Sequence, residues 1–177
     1  MLTVVVMMLV LASGVALALN RIDCSTSTDP GDGICSGTSE ADLIVGTDND
    51  NIRALASKDT VNGALGDDVI DGGRGSDQLS GGEGVDEIIG GQGNDIFDLM
   101  DEARVIPVPV DSSEIGSGGD GNDTTVADDG NQDLILCGAG KKDVVSYDQY
   151  DLFFADESGE FGNSPSPDCE NATLVIR

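Results

Sequence analysis

The chain has no histidine and no tryptophan, and aromatic residues make up only 3% of its 177 positions. Basic residues are also scarce, since 8 lysines and arginines stand against 34 aspartates and glutamates and the net charge is −26. Without histidine, the chain lacks the commonest general base and a usual zinc ligand. The excess of negative charge argues against nucleic acid and anionic lipid surfaces as partners and favours cations.

The N-terminus of the chain is a long apolar segment. Residues 1–20 carry no charged side chain, and Ala16-Leu17-Ala18 has the small-x-small pattern of a signal-peptidase site. We expect residues 1–18 to be a helical signal peptide that is cleaved on export, so that the mature protein is secreted. The alternative is an uncleaved N-terminal helix that anchors the protein at the cell surface, because the apolar run is marginally long enough to span a membrane.

A nine-residue repeat occupies the centre of the chain. From Gly63 it reads GALGDDVID, GGRGSDQLS, GGEGVDEII and GGQGNDIFD without a gap, and the weaker copies VGTDNDNIR and ALASKDTVN precede it. Place six of every copy is an aspartate and place eight is apolar. The six aspartates are Asp50, Asp59, Asp68, Asp77, Asp86 and Asp95. A unit with one apolar side chain buries it only by stacking on its neighbours, so the repeat predicts a stacked architecture.

The residue types of the repeat suit a small, hard cation. Glycines at places one, two and four permit the positive φ angles of a tight turn and leave the backbone carbonyls accessible. The aspartate at place six adds a negative charge beside those carbonyls. Calcium takes roughly six to eight oxygen ligands from carboxylates and carbonyls. The repeat therefore predicts several calcium ions, bound at turns that join short strands.

These segments resemble the hemolysin-type calcium-binding (RTX) repeat, GGxGxDxUx. The resemblance implies an all-β fold, a parallel β-roll, which is a right-handed β-solenoid of short strands; here the N-terminal signal helix would precede it. It also implies that calcium lies between turns eighteen residues apart, so that Gly63–Asp68 pairs with Gly81–Asp86 and Gly72–Asp77 pairs with Gly90–Asp95. The weaker copies at Asp50 and Asp59 would form weaker sites.

The ligand residues that the family pattern implies lie in two segments, 36–98 and 118–155. In the first segment they are Gly63, Gly66, Asp68, Gly72, Gly73, Gly75, Asp77, Gly81, Gly82, Gly84, Asp86, Gly90, Gly91, Gly93 and Asp95, with Asp50 and Asp59 in the weaker copies. In the second, degenerate segment they are Gly118, Gly121 and Asp123.

The rest of the chain departs from the repeat. Residues 19–35 are expected to form an N-terminal linker or cap, and residues 156–177 a C-terminal tail or cap. Residues 99–117 interrupt the frame, so we expect a loop or irregular insertion there, with one extended strand at Val105–Val110. The spacing of an aspartate and an apolar residue two places later continues outside the strong copies, at Asp42/Ile44, Asp133/Ile135, Asp143/Val145 and Asp151/Phe153.

Four cysteines lie in the exported part, where oxidation is permitted. They allow three pairings, and their layout favours Cys24–Cys35 and Cys137–Cys169, one near each end of the repeats. A metal cluster of cysteines is disfavoured, since the chain has no C-x-x-C pair and no histidine.

We expect an exported protein without catalytic activity that binds calcium and folds on binding it. The carboxylates recur with the period of the repeat, and the chain has neither a G-x-S-x-G motif nor a histidine to activate a cysteine. The alternative is a structural or adhesive protein of the cell surface in which calcium is only a folding cofactor. The sequence identifies no protein or polysaccharide partner.

Overall fold

The computed structural model describes residues 5–10, 16–25, 34–100, 114–127, 131–139, 142–147, 149–154, 161–162, 169 and 171–174. Within these ranges the chain consists of β-strands and turns. The strands are β1 (Val5–Val10), β2 (Ala16–Asp23), β3 (Ile34–Ser36), β4 (Asp42–Val45), β5 (Asn51–Arg53), β6 (Thr60–Leu65), β7 (Val69–Arg74), β8 (Gln78–Glu83), β9 (Glu87–Gln92), β10 (Ile96–Asp98), β11 (Ile115–Asp120), β12 (Thr124–Ala127), β13 (Leu134–Leu136), β14 (Val144–Tyr147), β15 (Leu152–Phe154), β16 (Phe161–Gly162) and β17 (Asn171–Leu174).

The strands form two sheets, and the chain alternates between them from β3 to β15. One sheet has the order β1-β2-β4-β6-β8-β10-β12-β14-β17, and the other has the order β16-β15-β13-β11-β9-β7-β5-β3. Strands two apart in sequence are parallel neighbours; Ile70 of β7, for example, lies opposite Ile88 of β9. The result is a parallel β-solenoid of about six turns, which confirms the expected all-β roll.

Most short strands of the solenoid point one apolar residue, that at place eight, into the space between the sheets. Because side chains alternate across a strand, the flanking residues face outward, as in the exposed-buried-exposed pattern of β5. Inward positions of the nine-stranded sheet are Ile44, Val61, Leu79, Phe97, Thr125 and Val145, and all are buried. Those of the eight-stranded sheet are Cys35, Ile52, Ile70, Ile88, Gly116, Ile135 and Phe153, also buried.

Gly116 occupies an inward position without filling it. The side chain of Leu99, which is 1% exposed, takes this space: a methyl group added at Gly116 would lie only 2.9 Å from Cδ1 of Leu99. Residues 115–117, which the sequence placed in the interruption, are therefore part of β11 and in register with β9 and β13. The strand expected at Val105–Val110 lies outside the described residues.

The N-terminal segment differs from the expected signal helix. The structure has an antiparallel pair of strands there, with Val5 opposite Arg21 and Val10 opposite Ala16. Asn20–Asp23 of β2 then pair in parallel with β4. A solenoid leaves the backbone groups of its first strand open, and a valine-rich segment has the β-propensity to pair with such an edge. Among the described residues there is no helix long and apolar enough to cross a membrane.

The C-terminal end of the roll also carries additional strands. β16 pairs in antiparallel fashion with β15, and β17 pairs in parallel with β14. Both expected disulfides are confirmed: Cys24–Cys35 joins the end of β2 to β3, and Cys137–Cys169 joins the end of β13 to the residues before β17. Covalent bonds thus attach both terminal segments to the roll.

Candidate calcium site: two ladders of buried carboxylates

The turn Gly81–Asp86 shows how the repeat builds its geometry. Gly82 and Gly84 have φ angles of +111° and +144°, a region that residues with a Cβ rarely adopt. Gly81 has no such angle; glycine is required there for space, because a methyl group would collide with the carboxylate of Asp86. The sequence interpretation, which gave all three glycines the same conformational role, is therefore corrected at place one.

The other predicted glycines follow the same division. Those at place one are buried beside the aspartate of their own turn: Gly63, Gly72, Gly81, Gly90 and Gly118. Those at place two that have positive φ angles are Gly73, Gly82 and Gly91, and those at place four are Gly66, Gly75, Gly84, Gly93 and Gly121.

The acidic residues at place six stack into two columns, one along each edge of the roll. Ladder A precedes the strands of the nine-stranded sheet and consists of Asp42, Asp59, Asp77, Asp95, Asp123 and Asp143. Ladder B precedes the strands of the eight-stranded sheet and consists of Asp50, Asp68, Asp86, Glu114, Asp133 and Asp151. The turns that the family pattern pairs, at Asp68 with Asp86 and at Asp77 with Asp95, are stacked in this way.

Hydrogen bonds link most of the acids to the next acid along their ladder. The backbone N–H of Asp68 donates to Oδ1 of Asp86 at 2.8 Å, and the N–H of Asp77 donates to Oδ1 of Asp95 at 2.9 Å. The partners are 17 to 20 residues apart in sequence, except across the interruption, where the N–H of Asp95 reaches Asp123, 28 residues on. The insertion thus lengthens one turn and leaves ladder A continuous.

Oδ2, the carboxylate oxygen that does not accept the inter-turn hydrogen bond, is buried without a partner from the described part of the chain in many of these acids. Within the described residues, Oδ2 is buried and has no hydrogen-bond partner in the following acids: Asp59, Asp68, Asp77, Asp95, Asp123 and Asp143. In the turns that begin at Gly63, Gly72 and Gly90, Oδ2 faces the glycine at place one and a carbonyl of the next turn. A methyl group at Gly72, for example, would lie 2.9 Å from Oδ2 of Asp77 and 2.7 Å from the carbonyl oxygen of Gly90. Two acceptors converge there, and buried acceptors without a donor are costly.

Burial shifts the acid-base equilibrium of these groups. It raises the pKa of Asp59 and Asp68 from 3.8 to about 7, against the lowering effect of their backbone hydrogen bonds. The neighbouring carboxylates of each ladder raise these pKa values further. Burial likewise raises the pKa of Asp95 and Asp123 to about 6, and that of Asp77 rises for the same reason although Lys58 opposes it. The carboxyl groups of the ladders therefore resist ionisation unless a cation binds beside them.

A second set of hydrogen bonds joins the turns at place five. The N–H of Asn94 donates to Oγ of Ser76 at 3.2 Å, and the N–H of Asn122 donates to Oδ1 of Asn94 at 2.9 Å. On the opposite edge, the N–H of Val85 donates to Oδ1 of Asp67 at 3.1 Å. These bonds hold successive turns together beside the carboxylates.

The chemistry of the donor set fits calcium. In the part of the chain that the structure describes, no three acidic or cysteine side chains converge to hold a metal. An ion at these turns would therefore take carboxylate oxygens from two successive acids and the rest of its oxygens from backbone carbonyls. Such a set of hard oxygens, without nitrogen or sulfur, is what calcium prefers.

Sequence reasoning missed Glu114 as a member of ladder B. Its N–H donates to Oδ1 of Asp133 at 3.1 Å, as an aspartate of the ladder would. The signal was present, since Glu114 stands two residues before the inward Gly116, but a search for aspartate followed by an apolar residue overlooks it. The structure also shifts the first weak copy, because Val45 pairs with Asn62 at the end of a strand and Gly46 occupies place one.

A family model described as the RTX calcium-binding nonapeptide repeat matches the chain at residues 36–70, 44–79 and 63–97. These residues include the strong copies and both weak ones, and the suspected resemblance is confirmed for them. Searches of the curated proteins and of the solved structures give no significant match.

Proposed function

Because residues 36–97 are RTX calcium-binding nonapeptide repeats, we propose that this protein binds several calcium ions at the turns of ladders A and B. The observation that carries the proposal is the row of buried Oδ2 atoms that have no hydrogen-bond partner among the described residues. A protein that buries carboxylates in this way is stable only if a cation, or protons, offset their charge.

Two pairs of turns are the strongest candidates to hold the ions. Asp68 with Asp86 on ladder B, and Asp77 with Asp95 on ladder A, would supply carboxylate oxygens, and the glycines of their turns would supply carbonyls. The turn that ends at Asp123 extends the same arrangement beyond the interruption, and Asp59 extends it toward the N-terminus. When bound, calcium contributes positive charge between successive turns.

Binding of this kind is coupled to folding. At a net charge of −26 the metal-free chain repels itself, and ions that bind only the stacked turns add their binding free energy to the stability of the roll. The two disulfides support export to an oxidising environment. In this proposal the carboxylates act as metal ligands, and the protein has no catalytic role.

A calcium titration by calorimetry on protein freed of metal with EDTA tests the proposal. We expect Asp77→Asn to weaken binding by about tenfold, or about 1.4 kcal/mol, because it removes a ligand charge. Glu87→Gln is the matched control, since it removes the same charge from an exposed residue on the outer face of β9. Equal effects of the two substitutions, or no binding by the unmodified protein at millimolar calcium, would contradict calcium binding at the ladders.

Far-ultraviolet circular dichroism tests the coupling to folding separately. The β-sheet signal should decrease when EDTA is added and return when calcium is restored in excess. A signal that stays the same in EDTA would show that the roll folds without the ion.

A further inference from the structure

Asp42 and Asp50, the first acids of ladders A and B, differ from the acids that follow them. The backbone N–H of Thr38 donates to Oδ2 of Asp42 at 2.6 Å, and its hydroxyl lies 3.0 Å from the same oxygen. The backbone N–H of Thr47 donates to Oδ2 of Asp50 at 2.7 Å. At both acids, donors from the protein occupy the oxygen that lacks a partner at Asp59, Asp68 and Asp77.

The difference comes from the local sequence. In both N-terminal turns a threonine follows the glycine at place one, whereas most later turns have a second glycine there. The side chain of an aspartate readily accepts hydrogen bonds from backbone N–H groups a few residues away. The turn from Gly46 to Asp50 is also shorter than the turn from Gly63 to Asp68, which brings the N–H of Thr47 to the carboxylate.

A hydrogen-bond donor aimed at Oδ2 has a consequence for metal binding. It satisfies the carboxylate oxygen without a cation, and its partial positive charge opposes the approach of one. Asp50 is therefore unsuited to complete a site with Asp68, and Asp42 is unsuited to complete one with Asp59, although both pairs are linked by the same N–H to Oδ1 bonds as the rest.

Other contacts fasten this end of the roll independently of calcium. The Cys24–Cys35 disulfide joins β2 to β3, and the N–H of Cys24 donates to the carbonyl oxygen of Val45 at 2.9 Å. The hydroxyl of Ser57 donates to the carbonyl oxygen of Ser39 at 2.9 Å and so ties the next turn to the first.

We propose that residues 34–53, which contain β3, β4 and β5 and which we term the threonine cap, fold without calcium and template the calcium-dependent turns that follow. The inference rests on the proposed function, because it divides the ladders into turns that need the ion and turns that do not. It reassigns Asp50, a candidate ligand from the sequence, to a structural role. A preformed end solves the nucleation problem of a repeat protein, in which each unit is unstable until a neighbour is in place.

Hydrogen exchange of the full-length, disulfide-intact protein, measured by mass spectrometry with and without EDTA, tests the inference. In EDTA, amides of the threonine cap should remain protected while those of 69–98 lose protection by about tenfold or more. Loss of protection in both regions together would overturn the cap but leave calcium-dependent folding intact. Protection of both regions in EDTA would overturn calcium-dependent folding, and the cap with it.

A matched pair of substitutions on ladder B gives a second readout. Asp50→Asn should leave the number of bound calcium ions unchanged and reduce the protection of the threonine cap in EDTA. Asp68→Asn, one rung further along, should reduce calcium binding and leave that protection unchanged. A fall in the number of bound ions in Asp50→Asn would show that Asp50 is a ligand, and the cap would be wrong.

Discussion

Leu55, Ser57 and Ala64 have positive φ angles of 80°, 84° and 85° although none of them is a glycine. They stand at places two, four and two of their turns, where the stronger copies have glycines such as Gly73, Gly75 and Gly82. A residue with a Cβ pays about 1–3 kcal/mol in this region. Where a glycine is missing at these places, the backbone is therefore strained.

Replacing Ala64 with glycine should stabilise the calcium-bound protein by about 0.5–1 kcal/mol, because the relief of strain exceeds the extra freedom of glycine in the unfolded chain. Urea denaturation in excess calcium measures the change. Ala56→Gly is the matched control: Ala56 has no positive φ angle, so the same substitution should destabilise. If both variants lose stability, Ala64 is not strained.

The metal-free protein should respond to pH in the direction set by the ladder carboxylates. Asp59 and Asp68 have a pKa of about 7 in the folded protein and an ordinary value of 3.8. Because the folded pKa is the higher one, protons bind the folded state more tightly. The stabilisation is complete below about pH 3.8 and is lost as the pH rises through about 7.

In EDTA, the β-sheet signal in circular dichroism should therefore increase when the pH is lowered from 8 to 5. Asp68→Asn should flatten this dependence, since the amide cannot ionise. In excess calcium the trend should be reversed, because calcium needs the ionised carboxylates. A metal-free signal that decreases on acidification would contradict the assignment.

Among the elements, β11 depends on a side chain from its neighbour in sequence. Leu99 lies beyond β10 and fills the inward space that Gly116 leaves in β11. We expect Leu99→Ala to cost about 2–5 kcal/mol. Gly116→Ala should also destabilise, because its methyl group would approach Cδ1 of Leu99 to 2.9 Å. A double-mutant cycle by urea denaturation should give a double variant more stable than the sum of the two losses predicts; strict additivity would mean that the two residues do not contact.

The last strand of the nine-stranded sheet depends on a covalent link. The Cys137–Cys169 bridge spans 32 residues and holds β17 beside β14. Replacing both cysteines with serine should cost about 3–4 kcal/mol, through the loop-closure entropy that the unfolded chain regains. In hydrogen exchange, β14 should lose protection before β7, which lies in the interior of the other sheet. Equal losses in both strands would show that the bridge stabilises the roll as a whole.

For the whole molecule, the charge of −26 opposes compaction and the ladders concentrate part of it in two columns. We expect the radius of gyration, measured by small-angle X-ray scattering, to fall from about 45 Å toward about 16 Å when calcium is added, the values for unfolded and compact chains of this length. Sodium chloride that supplies the same ionic strength is the control. It screens charge without ligating the turns, so full compaction by salt alone would contradict a specific role for calcium.

The register of a nonapeptide repeat is a property that the sequence determines by itself. Asp68, Asp77, Asp86 and Asp95 recur at a constant interval with an inward apolar residue two places later, and the resemblance of these segments to the RTX repeat implies how such units stack. The layout of the cysteines, with one pair near each end of the repeats, also favoured the two disulfides that the structure has. The parallel solenoid and the opposing rows of aspartates were therefore predictable from the sequence.

What only the tertiary structure decided lies where that period fails. Glu114 joins ladder B and Leu99 fills the place of Gly116, because each depends on a neighbour that the repeat period does not specify, and the first strands form an antiparallel pair instead of a helix. The proposed division of the ladders into the threonine cap and the calcium-dependent turns also depends on the tertiary structure. Asp50 and Asp68 are the same residue type and both stand two places before an inward isoleucine, but the N–H of Thr47 donates to Oδ2 of Asp50, whereas Oδ2 of Asp68 has no hydrogen-bond donor among the described residues. Hydrogen-bond geometry of that kind has no periodic signature, so a pattern in the sequence does not reveal it.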